Sequence, residues 1–375
     1  MTKLENRVAD AFHHLHQHAE ISWEETGTTA YIASILKEYG CTVTTFSDCT
    51  GVVGEYGHFD SNLPVVAIRA DMDALWQEVN GTFQANHSCG HDAHMAMVLG
   101  LVSKITDDPA LKNKVALKII FQPAEEKGEG ALKMVEKGVV DDVDYLFGIH
   151  LRPIEETTMD NAAPVIVHGA NTTYIADING HDAHAARPHL NANAIEVASA
   201  IVSQLNNIHL NPRIPHSVKM TNITAGGKNT NIIPGNASFA VDMRTQDNQT
   251  MDDLTRKVKD IFQAMESIHG VEIPITDMEY IPAAAVNDEA IQIMENATAR
   301  VLGEAHVDAP LITPGGDDFH FYTIKRPDLK ATMLGLGCDL KPGLHHPDMT
   351  FNHDALMNGV DILYEAVKGV YRDDS

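Results

Sequence analysis

The chain contains few cysteines and no long apolar run, and these shortages exclude two classes of protein. No stretch approaches the roughly 18 consecutive apolar residues that a membrane-spanning helix needs. The first residues mix charged and apolar side chains without the continuous apolar core of a secretory signal, so we expect a cytoplasmic protein without a membrane partner. The chain has 4 cysteines among 375 residues. Because the cytosol keeps thiols reduced, they do not indicate a disulfide framework.

Basic residues are also scarce, with 27 Lys and Arg against 52 Asp and Glu, which gives a formal net charge of -25. A negative field repels phosphate backbones, and no basic cluster occurs, so nucleic acid is not an expected partner. Serine-hydrolase chemistry is not indicated, because no Gly-x-Ser-x-Gly segment is present. Phosphate-loop chemistry is not indicated either, because Gly226-Gly-Lys228 is followed by asparagine and lacks the upstream glycine spacing.

Histidine is abundant, with 21 residues in the chain. The neutral imidazole is the commonest metal ligand in proteins and also serves as a general acid or base. Many histidines lie on protein surfaces, so the count alone does not identify a function. The positions of the histidines must therefore decide which of them carry chemistry.

The length predicts two domains, since one domain usually has roughly 100–200 residues. In the first part of the chain, predicted strands alternate with predicted helices, which indicates an α/β fold with a mainly parallel sheet covered on both faces. The middle has the order strand-helix-strand-strand-helix-strand, which is typical of a ferredoxin-like α+β domain. We therefore predict a main domain of residues 1–171 and 284–375 and an inserted domain of residues 172–283.

The strongest local motif, Cys89-Gly-His91, precedes an apolar helix. Two such side chains, two residues apart at a strand-to-helix turn, can converge on one ion, and a thiolate and an imidazole suit zinc and related divalent cations. The alternative is a helix N-terminus with polar caps and a buried thiol. Glu125 and Glu126 directly follow a predicted strand. One of them could bind metal while the other accepts a proton from water, although adjacent glutamates are also common on surfaces.

Four more polar residues follow predicted strands or lie far downstream. Asp71 and Asp73 end one strand, His150 ends another, and His345 lies in a late loop. Taken singly, these residues have ordinary alternatives: a strand-end turn, a hydrogen-bonded core histidine and a polar loop. Taken together, they place carboxylates and imidazoles at strand ends, where open α/β sheets have their sites.

Six segments in the same order resemble the M20 metallopeptidase family, and they cover nearly the whole chain. The closer match is the amidohydrolase branch, which includes N-acyl-amino-acid amidohydrolases, hippurate hydrolases, auxin-conjugate hydrolases and N-acetyldiaminopimelate deacetylases. The segments are Arg69-Ala-Asp-Met-Asp-Ala-Leu75, Cys89-Gly-His-Asp-Ala-His94, Phe121-Gln-Pro-Ala-Glu-Glu126, Gly148-Ile-His150, His184-Ala-Ala-Arg-Pro-His189 and Gly343-Leu-His345.

The resemblance implies two divalent metal ions per subunit, manganese or zinc in the first place and cobalt or nickel as alternatives. It implies that Glu125 is the general base, and that Asp71 and Asp73 orient and tune the site. His184 would stabilise the oxyanion, while Asn231 and Arg244 would hold the substrate. The implied metal ligands are Cys89, His91, Glu126, His150 and His345.

The implied reaction is hydrolysis of the amide bond of an N-acyl amino acid, by a homodimer formed through the inserted domain. N-acetyldiaminopimelate deacetylase is one specific candidate. The alternatives are a dipeptidase or carboxypeptidase of the same family, which would recognise a free α-amino group, and a catalytically silent metal-binding sensor.

Some positions differ from the family pattern. Asp182-Ala183 replaces a Gly-Gly pair, Trp76 replaces a proline, and Asp317-Asp318 has aspartate where glutamate is commoner. These changes leave the ligand set intact and bear on substrate specificity. For Trp76 we expect a packed core side chain rather than a contact with the acyl group.

Overall fold

The computed structural model describes residues 2–59, 62–111 and 114–371. The chain divides into two compact units: unit 1 consists of Met1–Val167, Ala285–Ile312 and Asp318–Ser375, and unit 2 consists of His168–Ala284 and Thr313–Asp317. This division reflects the compactness of each unit, and the predicted limits of the inserted domain, residues 172–283, stay a prediction. In the described part of the chain, no helix is both long and apolar enough to cross a membrane.

The helices and strands are numbered in chain order. In the described residues, α1 to α9 span Lys3–Gln17, Thr26–Glu38, His91–Asp107, Gly130–Glu136, Ala194–Leu205, Asn248–His269, Asp288–Leu302, His320–Lys325 and Ala355–Val370. Strands β1 to β17 span Thr42–Thr45, Val52–Gly57, Val65–Asp71, Leu75–Val79, Thr82–Asn86, Ala116–Gln122, Tyr145–Pro153, Ala162–Ala163, Ile166–His168, Ala170–Ile178, Ala183–His184, His216–Ala225, Ile232–Ile233, Ala237–Thr245, Ile275–Ile281, Leu311–Thr313 and Lys330–Leu340.

Unit 1 is built on a sheet with the strand order β1-β2-β6-β3-β7-β17-β8. The four central strands, β6, β3, β7 and β17, run parallel, whereas β1, β2 and β8 pair antiparallel at the edges. Every residue of β3 and β6 is buried, as expected for central strands covered on both faces. The predicted α/β class is confirmed, and the sheet is mixed because its edge strands are antiparallel.

Helix α3 lies in the core of unit 1, with most of its residues buried. It packs closely against α1 and α9 at Gly100, where an added Cβ would lie 2.5 Å from the Val8 side chain and 2.9 Å from that of Val360. A side chain at this position would force the helices apart. The close packing fixes the start of α3, at His91, beside the sheet.

Unit 2 contains an antiparallel sheet of order β12-β14-β10-β15. Apart from the two-residue strands β11 and β13, which pair with each other, its elements follow the order β10-α5-β12-β14-α6-β15, which is the predicted ferredoxin-like arrangement. Alternate residues of β10 and β14 are buried and pack with α5 and α6 in one apolar core. The alternation shows that the other face of this sheet carries the polar side chains of the strands.

Candidate metal centre

The predicted ligand residues of unit 1 lie together where the parallel strands end. Each comes from a different place in the fold: the turn before α3, the first residue of α3, the segment after β6, strand β7, and the loop after β17. Their ligand atoms form overlapping groups within 4.8 Å of one another, namely Cys89-His91-His150, Cys89-Glu126-His345 and His91-Glu125-Glu126.

Among the residues that the structure describes, two buried polar atoms at the centre of this cluster find no hydrogen-bond partner, namely His91 Nε2 and Glu126 Oε1. They lie 3.9 Å apart, and Glu125 Oε2 lies 3.8 Å from the same His91 nitrogen. Leaving a buried polar atom unpaired costs about 1–3 kcal/mol, so such atoms mark a place where a partner belongs. Imidazole, thiolate and carboxylate donors converging on one point fit a divalent cation.

Backbone carbonyls fix the tautomers of two of the candidate ligands, His91 and His150. His91 Nδ1 lies 2.8 Å from the Asp73 carbonyl oxygen, and His150 Nδ1 lies 2.7 Å from the Leu151 carbonyl oxygen. A carbonyl can only accept, so both Nδ1 atoms carry the proton. In the neutral ring each Nε2 carries a lone pair, and His150 Nε2 lies 3.6 Å from Cys89 Sγ. Metal-binding histidines usually donate their other ring N–H to a carbonyl or carboxylate in this way, which fixes the orientation of the ring.

The electrostatics of the two rings differ. Burial lowers the pKa of His150 well below its ordinary value, and the neighbouring His94 and Arg152 add to this effect. Burial opposes protonation of His91 as well, but the Asp71 carboxylate raises the pKa of His91 well above its ordinary value. The His91 ring therefore lies in a strongly negative environment, which is what a cation site provides.

Asp73 organises the segment that carries the two glutamates. Its carboxylate accepts hydrogen bonds from the backbone N–H of Glu125 at 3.0 Å, from the backbone N–H of Glu126 at 3.0 Å, and from Ser22 Oγ at 2.7 Å. Burial tends to raise the pKa of Asp73, but the His91 ring, whose Nδ1 lies 3.4 Å from a carboxylate oxygen of Asp73, and the hydrogen bonds from Ser22 and Glu126 lower it overall. Asp73 is therefore a charged acceptor that holds the glutamate backbone in place.

Asp71 is also buried, and it contacts Arg69 and His94. One carboxylate oxygen lies 2.7 Å from His94 Nδ1 and 3.8 Å from His91 Nε2, while the other accepts from Arg69. The second nitrogen of His94, Nε2, accepts from the Leu151 backbone N–H at 2.9 Å. Both nitrogens of His94 thus have protein partners, so this histidine orients Asp71 rather than offering a free lone pair.

Sequence reasoning missed the role of Glu25. Its buried carboxylate accepts from the Ala124 backbone N–H at 2.9 Å and from Thr50 Oγ1 at 2.6 Å. Burial raises the pKa of Glu25 above its ordinary value. Ala124 has a positive φ of 50°, an uncommon conformation for a non-glycine residue, and Glu25 helps to hold it just before Glu125. A signal was present in the polar segment around Ser22, between the first two helices.

In unit 2, His184 and Asn231 line one pocket of about 540 Å³. His184 Nδ1 accepts a hydrogen bond from the Ala186 backbone N–H at 3.0 Å, so the neutral ring carries its proton on Nε2. Arg244 lies apart from them and lines a pocket of about 200 Å³. Its guanidinium contacts both carboxylate oxygens of Asp242, at 3.1 and 3.2 Å.

The expectation for Trp76 is wrong. Trp76 is 60% exposed, and Phe83 is 58% exposed. Trp76 lies on the β4–β5 ribbon, a two-stranded sheet formed by residues 75–86. Trp76 and Phe83 share one face of this ribbon, since Trp76 pairs with Ala85 and Phe83 pairs with Glu78, and every second residue of a strand points to the same face. A two-stranded ribbon has too little area to bury both of its faces.

Comparison with known proteins gives the family. The chain belongs to peptidase family M20/M25/M40, whose model matches residues 67–369. It is thus a hydrolase of the M20 family, as the resemblance implied. It is 29% identical to the N-acetyl-L-cysteine deacetylase of Bacillus subtilis over 379 residues, covering 98% of this chain and 89% of that protein.

It is also 29% identical to the IAA-amino acid hydrolase ILR1-like 4 of Arabidopsis thaliana over 325 residues, covering 82% of this chain and 72% of that protein. Among solved structures, the Bacillus subtilis YXEP protein, a dinuclear metal-binding peptidase from the M20 family, superposes with a TM-score of 0.79. That comparison covers 97% of each chain at 24% identity and supports the fold.

Proposed function

We propose that this chain is a metal-dependent amidohydrolase that cleaves the amide bond of N-acyl amino acids and releases a carboxylic acid and a free amino acid. The observation that carries the proposal is the pair of buried, unpartnered atoms, His91 Nε2 and Glu126 Oε1, surrounded by further donors. A carboxylate suited to proton transfer, that of Glu125, lies beside them. The names of the two relatives, a deacetylase and an amino acid hydrolase, support the choice of substrate class.

In this proposal the site holds two divalent cations, with Cys89, His91, Glu126, His150 and His345 as ligands. The Cys89 thiolate favours zinc, and manganese, cobalt or nickel are alternatives. When bound, such a metal pair lowers the pKa of a water molecule and polarises the substrate carbonyl.

The chain's own residues then move one proton. The water oxygen bonds to the amide carbon while Glu125 takes the proton that the water loses. As the carbon–nitrogen bond breaks, Glu125 passes that proton to the leaving amine nitrogen. Asp73 keeps the Glu125 backbone fixed during both transfers, because it accepts the Glu125 N–H at 3.0 Å.

The proposed roles in unit 2 concern substrate and oxyanion. We assign to His184 the donation of its Nε2–H to the developing oxyanion, to Asn231 a polar contact with the substrate, and to Arg244 a bidentate contact with the substrate carboxylate. Arg244 must then exchange its contact with Asp242 for the substrate. A homodimer formed through this unit and a cytoplasmic location complete the proposal.

The test is amine release from N-acetyl and N-benzoyl amino acids and from dipeptides, using chelator-treated protein before and after addition of Zn²⁺, Mn²⁺ or Co²⁺. Metal-dependent release from N-acyl amino acids, with dipeptides inert, is the expected result. The matched control is Glu125→Gln, which should bind metal like the wild type and lose turnover by about 10²–10⁴-fold. Cleavage of dipeptides alone would favour a peptidase, and silence across the panel would favour a sensor.

A further inference from the structure

Among the proposed ligands, His345 is the least constrained by packing. Its side chain is 54% exposed, whereas Cys89, His91 and His150 are buried. It lies on the loop between β17 and α9 with a positive φ of 64°, a conformation that a non-glycine residue rarely adopts without support. Hydrogen bonds rather than packing must therefore hold this histidine.

The side chain of Gln77, on strand β4, provides such a hydrogen bond. Gln77 Nε2 donates to the His345 carbonyl oxygen at 2.8 Å, and Gln77 Oε1 accepts from Ser88 Oγ at 2.8 Å and from Asn86 Nδ2 at 3.2 Å. Asn86 Nδ2 also donates to the Pro347 carbonyl oxygen at 3.1 Å. One amide thus joins the β4–β5 ribbon, the turn that carries Cys89 and the loop that carries His345.

These contacts fix the backbone of His345 on both sides. The His345 N–H donates to the Ser88 carbonyl oxygen at 2.9 Å, and its own carbonyl is held by Gln77. With both peptide groups anchored, the direction of the Cα–Cβ bond is set. The imidazole Nε2 then lies 3.4 Å from Glu126 Oε1, within the group formed by Cys89, Glu126 and His345.

We propose that Gln77 is a positioning residue that holds His345 toward Cys89 and Glu126, and so sets the affinity of one of the two metal positions. This inference rests on the proposed function, since it uses the same ligand set. The groups Cys89-His91-His150 and His91-Glu125-Glu126 do not contain His345. Because Cys89 is shared between two of the groups, loss of the Gln77 contacts should weaken the metal position that uses His345 more strongly than the other position.

The experiment titrates Zn²⁺ into the chelator-stripped full chain, in competition with a chromophoric chelator, and compares the wild type with Gln77→Met. Methionine keeps the length of the side chain and removes both the donor and the acceptor. The control is Gln84→Met, because Gln84 is exposed and lies opposite Gln77 in the ribbon. We expect two Zn²⁺ sites in the wild type and in the control, and one site weakened by about 10–100-fold in Gln77→Met.

A second measurement separates positioning from a general structural role. The Co²⁺ absorption spectrum of Gln77→Met should change for one equivalent of metal, while the unfolding midpoint of its metal-free form matches that of Gln84→Met. Ser88→Ala, which removes one of the three contacts of Gln77, should weaken the same site by a smaller factor.

Wild-type affinity at both sites of Gln77→Met would overturn the inference, and so would equal weakening of both sites with a lowered unfolding midpoint. A wild-type chain that binds no Zn²⁺ or Co²⁺ would overturn the proposed function itself, together with this inference.

Discussion

Asp73→Asn tests whether one buried carboxylate holds the glutamate segment in place. The wild-type carboxylate receives three donors, the N–H groups of Glu125 and Glu126 and the hydroxyl of Ser22. An asparagine amide offers one oxygen, so at least one of the two backbone N–H groups must face an NH₂ group. An orphaned donor costs about 1–3 kcal/mol, and loss of charge from the remaining bonds adds about 1. We therefore expect Asp73→Asn to lower the free energy of unfolding by about 2–4 kcal/mol.

Ser22→Ala is the matched comparison. It removes one donor to the same carboxylate and leaves both backbone N–H groups satisfied, so it should cost only about 1 kcal/mol. Urea unfolding of the metal-free chain, with equal slopes as the test of comparability, measures both values. Zn²⁺ titration should show a loss of about 10–100-fold in affinity for Asp73→Asn. A stability loss in Asp73→Asn no larger than in Ser22→Ala would refute the reasoning.

Three further substitutions test other parts of the molecule. His184→Ala should lower kcat by about 10²–10³-fold with little change in KM; an effect on KM alone would assign His184 to substrate binding. Asp242→Asn should free the Arg244 guanidinium and lower KM for N-acyl amino acids but not for their amide analogues, and unchanged KM values would contradict the proposed carboxylate contact. Gly130→Ala should lower the free energy of unfolding by about 3 kcal/mol, because its Cβ would lie 1.6 Å from the Pro123 carbonyl oxygen. An unfolding midpoint equal to that of the wild type would show that the backbone around Pro123 moves to accommodate the methyl group.

The sequence predicts the central strands of unit 1 well because their pattern is local. Strands β3 and β6 are rich in apolar residues and wholly buried, and the polar residues at and after their ends reach the cluster. The edge strands β1 and β2 were not predicted. Strand β1 has four residues, mostly exposed, with no alternation between polar and apolar side chains, so its pairing depends on β2 and not on its own composition.

The β4–β5 ribbon was missed although a signal for it was present. Asn80-Gly81 lies between its strands, and both residues have positive φ, 51° and 82°, as a type I′ hairpin turn requires. With the hairpin recognised, Trp76 would have been placed on a two-sided ribbon instead of in the core. The Gln77 contact with His345 could not have been predicted in this way, because it joins residues that are 268 positions apart.

Candidate ligands can be predicted from residue type and position. Whether a histidine nitrogen is available to bind metal depends on the hydrogen-bond partners of the ring in the folded chain, which sequence spacing does not determine. His91 and His150 both donate Nδ1–H to a backbone carbonyl and turn Nε2 toward the cluster. His94, three residues after His91, has both nitrogens occupied by Asp71 and by the Leu151 backbone. Residue type and spacing alone do not separate these histidines, although the family resemblance implied His91 and His150, and not His94, as ligands. The hydrogen-bond partner of the second ring nitrogen is what separates a candidate ligand from a residue that orients a neighbouring carboxylate.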